Sequence, residues 1–434
     1  MTDVSTEAAA TTPAETKKAP RRGSNLREYG LLAALVVIVL LFQWMTDAKL
    51  LSAGNPNNLI SQNAYVVILA LGMVMVIIAG HIDLSVGSIV AAVGALVAIA
   101  INYWSIPWPV AVLLALVVGA LIGAWQGFWV AFVKVPAFIV TLAGMLIFRG
   151  LAIIFLTGGT IGGLPDGFVA IGARWVPSLF GHIGVDAQID VALPAWNLFG
   201  HHFARHPLFI LRTNELDTFT LVVGLVAVLG YVGLQIISRL RLQARNLPTG
   251  SLSGFIIRAA GVSVGVLFLT LLLAAYRGTP WVLVLLGVLV MIYSFVLNRT
   301  VFGRHIYAMG GNRFAAMMSG VKTRWVDFFI FVNIGVLSAI AAVVTTSRAG
   351  SANSAAGTWF ELDAIASVFI GGAAVQGGVG RVSGSVIGAL VMGVLNMGLS
   401  ILTVDAAWQQ VIKGLVLLLA VAFDVINRRR SGTA

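Results

Sequence analysis

Apolar runs separated by short polar breaks make up almost the whole chain. They lie near 29–46, 60–79, 84–102, 109–132, 137–157, 218–236, 257–276, 281–298, 327–347, 361–378, 384–402 and 408–426. Most approach the roughly 20 apolar residues that a helix needs to cross a bilayer. The tenth is the faintest of them. Hydrocarbon offers no partner to an unpaired backbone group, so the choice lies between helices and a closed barrel, and runs this long and uniform specify helices. The pattern therefore predicts an all-α, polytopic helical membrane protein with about 10–12 transmembrane helices.

Composition supports this. The chain is 59% hydrophobic and only 10% charged, with a mean hydropathy of +0.98, whereas soluble proteins carry about 25% charged residues. The absence of cysteine excludes disulfides, thiolate metal sites and iron–sulfur clusters. The net charge of +11 reads as lysine and arginine retained at the cytoplasmic face, not as a nucleic-acid surface. With the N-terminus inside and an even number of spans, 19 of the 27 Lys and Arg fall on inside segments, the terminal Arg428–Arg430 run included. Both termini are thus expected in the cytoplasm. Residues 1–28 form a polar, basic tail without the apolar core of a signal peptide. The membrane domain is expected over 29–426, with a second tail at 427–434. Two loops stand out within it: 158–217 outside, and 299–326 inside.

Three kinds of local pattern modify the picture. Gly119, Gly123 and Gly127 recur on one helical face, as do Gly384 and Gly388; small residues at this spacing let helix backbones approach closely. "AGHIDLSVGS" at 79–88 breaks an apolar stretch. An aspartate near mid-bilayer costs about 2.5–3.5 kcal/mol on insertion scales, so Asp83 must avoid lipid, either by capping the next helix with Ser85 nearby or by facing a polar cavity. A faint echo between "VGSIVAAVGALV" and "SGSVIGALVMGV" is compatible with an internal duplication. In the inside loop, "NRFAAMMSGV" reads as a short helix capped by Asn312 and ended by Gly320. Its Phe314, Met317 and Met318 give an apolar side that seeks a protein partner or the lipid surface.

"AGHIDLSVGS", "VPAFIVTLAGMLIFRGLAIIFLTGG", "MGGNRFAAMMSGV" and "FELDAIASVFIGGAAVQGGVGRVSGSVIGALVMGVLNMGLS" together resemble the membrane permease subunits of bacterial ABC importers for monosaccharides. The likeness is greatest to the xylose and multiple-monosaccharide types, and it extends over 55–158 and 280–426. It implies a multi-pass protein of the bacterial inner membrane that moves a sugar inward by alternating access. Implied partners are a cytoplasmic ATP-binding subunit, a periplasmic sugar-binding protein and a second permease copy, all within membrane lipid. It further implies that Gly311, Asn312, Phe314, Ala315, Ala316 and Gly320 couple the chain to the ATPase. In many importers a glutamate precedes the two alanines; Phe314 stands there, which makes the contact apolar.

Candidate pathway or gate residues are Asp83, Ser85, Arg149, Glu361 and Asp363. Arg149 is the intramembrane cation, expected to seek carbonyls or a carboxylate. Glu361 and Asp363 sit at the outer edge of the tenth run, and Lys413 and Asp424 are expected at the two membrane interfaces. No catalytic set, metal site or cofactor is expected. His201, His202 and His206 have no nearby acid. "GVSVG" at 261–265 lies within an apolar run, and "GGVGRVSGS" at 377–385 lacks the Gly-Lys-Ser/Thr ending of a nucleotide loop. An ion-driven secondary transporter and a membrane-embedded enzyme are the competing classes.

Overall fold

The computed structural model describes residues 23–430, apart from 53, 158, 194–195, 199–200, 204–205, 248 and 250. The backbone alone is described at 23–29, 187, 193, 196–198, 201–203, 206, 208, 423–425 and 427–430. Most of the N-terminal tail and the last four residues lie outside the described residues, as do the side chains of His201, His202, His206, Asp424 and Arg428–Arg430.

Fifteen α-helices are described: α1 (Gly23–Met45), α2 (Asn55–Ile78), α3 (Val86–Asn102), α4 (Trp108–Phe128), α5 (Ala137–Leu156), α6 (Asp166–Ala173), α7 (Thr218–Ala244), α8 (Leu252–Ala274), α9 (Trp281–Arg299), α10 (Val301–Gly311), α11 (Arg313–Met318), α12 (Thr323–Ala349), α13 (Phe360–Ile370), α14 (Val382–Ile401) and α15 (Ala406–Arg430). A π-helical turn, Trp129–Val133, extends α4. Prolines set several starts: Pro107, Pro136, Pro165 and Pro280 each precede a helix, where a fixed φ is preorganised and a missing N–H costs nothing.

Among the described residues, eight helices are long and apolar enough to cross a membrane: α2, α4 with its π-turn, α5, α7, α8, α9, α12 and α14. Residues 30–45, α3 and 406–422 form shorter apolar helices. The chain is a polytopic helical membrane protein. At the centre, α12 packs on α2, α3 and α4. The glycine stripe explains the α4 contact: a Cβ on Gly119 or Gly123 would strike the α12 backbone at Gly335 or Phe331. Gly384 and Gly388 likewise bring α14 onto the α13 backbone at Gly371 and Ser367.

Two expectations are corrected. The tenth run is not a span. α13 has 11 residues, about 16 Å at 1.5 Å per residue, roughly half of a hydrocarbon core. Glycines stop it, and the chain then turns through 371–381 before α14. The second correction concerns 158–217, which contains a β-ribbon. β2 (His182–Leu193) pairs antiparallel with β5 (His206–Asp217), and β3 (Trp196–Leu198) pairs with β4 (His201–Phe203) nearer the tip. Twelve-residue strands make it about 40 Å long. β1 (Thr160–Gly162) pairs separately with β6 (Ser351–Asn353), tying the α5 exit to the α12 exit. At the α1 end, helix already begins at Gly23, ahead of the expected residue 29.

Candidate functional site

The N-terminal turn of the half-helix α13 holds two buried carboxylates close together. After β6 the chain runs through 354–359, reverses at Gly357 (φ +70°) and Trp359 (φ +67°), and enters α13 with Glu361 and Asp363 in its first turn. Carboxylates there complement the positive end of the helix dipole. Both are buried.

Asp363 belongs to a network drawn from four helices. Tyr65 of α2 donates to its Oδ2 at 2.7 Å, and Asn396 Nδ2 of α14 lies 3.3 Å from the same oxygen. Asn396 also donates to Asn63 Oδ1 at 3.1 Å. Lys413 of α15 places Nζ 3.3 Å from Asp363 Oδ1. The Phe360 ring stacks on Tyr65 at 3.5 Å between centroids. Lys413 thus turns inward, toward a buried carboxylate that needs a counter-charge.

Glu361 faces the other way. It lies within electrostatic range of Arg149 and Asp83. Arg149 of α5 donates through Nη1 to the carbonyls of Ser354, at 2.8 Å, and Ala356, at 2.7 Å, so one guanidinium holds the re-entrant stretch in place. Gly87 has no room for a side chain: a Cβ would meet the Gly357 carbonyl and the Glu361 carboxylate.

Asp83 is fully buried between α2 and α3. Its Oδ1 accepts from the Ser85 backbone N–H at 2.8 Å and from the Ser85 hydroxyl at 2.6 Å. Gln126 of α4 donates to Ser85 Oγ at 2.7 Å. The N-cap position itself is Ser85, and Asp83 fixes that residue from two positions earlier. Asp83 is thus not the cap of α3 itself; it is buried and braces the residue at the cap position. Asp83 Oδ2, Gln126 Oε1 and Glu361 Oε2 are buried without a hydrogen-bond partner. Orphaned oxygens of this kind cost about 1–3 kcal/mol each, which marks the region as retained for something other than stability.

At one end of the bundle lies the α10–α11 unit. Asn312 accepts from the Ala315 N–H at 2.9 Å and caps α11, while Gly320 follows it at φ +84°. Phe314 (68% exposed), Met317 (52%) and Met318 (69%) are uncovered. Ala315 and Gly311 are exposed as well, but Ala316 is buried against the bundle. Between α11, the 79–82 stretch and the α4–α5 connection lies a cavity of about 770 Å³, bordered by Lys134, Arg313 and Arg324.

A family model described as "Branched-chain amino acid transport system / permease component" matches residues 55–421. The chain belongs to this permease family. It is 38% identical to the xylose transport system permease protein XylH of Escherichia coli strain K12, over 94% of both chains. The corresponding Haemophilus influenzae protein is also 38% identical, over 94% of this chain and 98% of its own. The ribose import permease protein RbsC of E. coli K12 is 29% identical, over 92% and 94%. No solved structure matches the chain. With its eight long apolar helices, the permease is a multi-pass protein of the inner membrane and a transport subunit in kind.

The structure brings Asp83, Ser85, Arg149 and Glu361 into one neighbourhood and places Asp363 beside it, two residues along the same turn of α13. Asn63, Tyr65, Gln126, Asn396 and Lys413 were not expected there. Gln126 and Asn396 carry a signal, each being a single polar residue within an apolar run, and such residues face the bundle interior; Asn63 follows Ser61 and Gln62, and Lys413 comes soon after Gln409 and Gln410, so neither stands out. Among the described residues, no group of three His, Asp or Glu is placed to hold a metal. "GVSVG" lies inside α8, away from any strand-to-helix turn.

Proposed function

We propose that this permease is the membrane subunit of an ATP-driven importer for a monosaccharide of the xylose, arabinose, galactose or glucose class. A separate ATP-binding subunit seats on α10–α11, a periplasmic sugar-binding protein delivers the substrate, and two permease copies pair. Both termini and α11 then lie in the cytoplasm and the β-ribbon outside. The permease relatives named for xylose and ribose support the substrate class.

The observation that carries the reading is α11 itself. It is a capped, six-residue helix whose Phe314, Met317 and Met318 are exposed while Ala316 anchors it. Exposed methionine and phenylalanine outside the hydrocarbon call for a protein partner. Exposed Ala315 lets the helix seat deeply. At the other end, Ile183, Ile189 and Val191 are exposed along the ribbon, and this row supports 158–217 as the binding-protein contact. Asp83, Ser85, Arg149, Glu361 and Asp363 serve the pathway or its gate. The unpaired Asp83 Oδ2 and Glu361 Oε2 suit transient contact with hydroxyl groups, and weak contact suits a subunit that must release its cargo.

The half-helix α13 with paired carboxylates favours a second reading, an ion-driven transporter. Against it, Asp363 already holds a lysine and Glu361 lies beside an arginine, so built-in cations occupy the charge an ion would meet.

The test is copurification with the ATP-binding subunit encoded nearby. Wild type is expected to retain it and to hydrolyse ATP faster with sugar-loaded binding protein. Ala315→Trp is expected to insert and remain monodisperse but lose the ATPase. Uptake of labelled xylose by the permease alone, driven by a proton or sodium gradient, would refute the proposal.

A further inference from the structure

Asp327, in the second turn of α12, is completely buried. It holds two side-chain partners, Arg313 and His81, that arrive from different parts of the chain. Arg313, the first residue of α11, donates from Nη2 to Oδ2 in a short contact and from Nη1 to Oδ1 at 3.4 Å. His81 Nε2 lies 3.0 Å from Oδ1. Burying a carboxylate is costly unless its partners stay in place, so Asp327 resists separation from either of them.

The position of His81 gives this arrangement its meaning. It sits in the connection between α2 and α3, two residues before Asp83, and its bond to Asp327 spans 246 positions in sequence. Arg313 and Asp327 are near neighbours along the chain; His81 is not. The same connection carries Asp83 and Ser85, which bond to each other, and Ser85 accepts from Gln126; just beyond it Gly87 of α3 packs against Glu361. Two residues of backbone therefore join the Arg313–Asp327–His81 cluster to the buried carboxylate Asp83 and to the helix start that packs on Glu361. Along the cavity beside it, Gly80, His81 and Ile82 face Phe314 and Met317 across open space, which leaves α11 free to shift.

We propose that Arg313, Asp327 and His81 form the link that carries movement of α11 into the 79–85 connection, and from there to Asp83, Ser85 and Glu361. The inference rests on α11 as the seat of the ATP-binding subunit. It adds three positioning residues to those already discussed. A side chain that only stabilised α11 would have no need of a partner on the α2–α3 connection.

The chain has no cysteine, so Ile82→Cys, half exposed in the cavity wall, gives one labelling site. In the complex with its ATP-binding subunit and binding protein, trapping with ATP and vanadate is expected to change the maleimide labelling rate at this position about tenfold, within the usual range of coupling between sites. His81→Asn and Arg313→Gln, made in that background, are expected to keep the ATPase bound yet abolish the change. Arg313→Lys is expected to restore most of it. Each substitution takes a partner from buried Asp327, so retained ATPase and a monodisperse elution profile are required of each variant, and Arg313→Lys, which keeps the ion pair, separates loss of the link from loss of the fold. A change of wild-type size in both His81→Asn and Arg313→Gln overturns the link, as does a wild-type complex that hydrolyses ATP with no change at residue 82. Failure of the wild-type chain to bind any ATPase refutes the docking reading instead, and the link falls with it.

Discussion

Lys413 Nζ stands 3.3 Å from Asp363 Oδ1, and only 3% of the Asp363 side chain is exposed. The pair joins α15, at the edge of the bundle, to the half-helix in its interior. Removing the lysine strands a carboxylate among apolar side chains, a loss of about 3–5 kcal/mol. Lys413→Ala is expected to lower the unfolding temperature in detergent by a corresponding amount. Asp363→Asn with Lys413→Met is expected to recover most of it, because the amide still accepts from Tyr65 and no charge is left alone. A double variant as unstable as Lys413→Ala would contradict this account.

Arg149 holds two carbonyls of the 354–359 stretch with a single guanidinium nitrogen. Hydrogen bonds from charged donors contribute about 1.5–3 kcal/mol each. Arg149→Met is expected to release that stretch, raising the maleimide reactivity of a Ser354→Cys reporter by about tenfold or more. Lysine at 149 retains the charge but lacks the fork, and an intermediate rate is expected. Equal reactivity in all three backgrounds would remove Arg149 as the anchor.

Asp217 ends the ribbon and caps α7. Burial alone would raise its carboxyl, but hydrogen bonds from Ser178 and Thr220 and the nearby His182 outweigh that and hold it below the usual carboxylate range. Thr220 supplies two of these, from its N–H at 2.9 Å and from its hydroxyl. A carboxyl depressed in the folded state stabilises fully above its unfolded value, near pH 4, and loses that contribution as pH falls through the lower folded value. Asp217→Ala is expected to cost about 1 kcal/mol at pH 7. The difference from wild type should shrink below about pH 4. Melting curves at pH 7 and pH 3.5 distinguish this from a purely steric effect, which would persist in acid.

How far the sequence could be read depended on the range of the forces involved. The start and stop of α11 follow from Asn312 and Gly320, both acting within a turn, and the fold bears them out. A close backbone approach to α4 was legible in three glycines for the same reason, but that α12 is the helix that approaches was not. The partner of His81 was not legible either, because Asp327 is distant in sequence and nothing local distinguishes a paired histidine from a solvated one. The same holds for Lys413, since only the fold brings Asp363 within its reach. The ribbon was missed for another reason. Ile183, Val185, Ile189, Val191 and Leu193 alternate at period two, a strand signature, but the stretch lies between membrane runs and was treated as loop. α13 was mistaken for a span because apolar composition continues through Gly371–Val379 after the helix has stopped.

Because α13 stops after 11 residues, its charged first turn and its glycine-rich exit are only about 16 Å apart. At that exit the Gly378 amide bonds to the carbonyl of Ile78 at 2.8 Å. The turn that follows the short helix is thereby stapled to the end of α2, so the two broken stretches of the bundle, 79–85 and 371–381, are held by one another and not by a continuous helix.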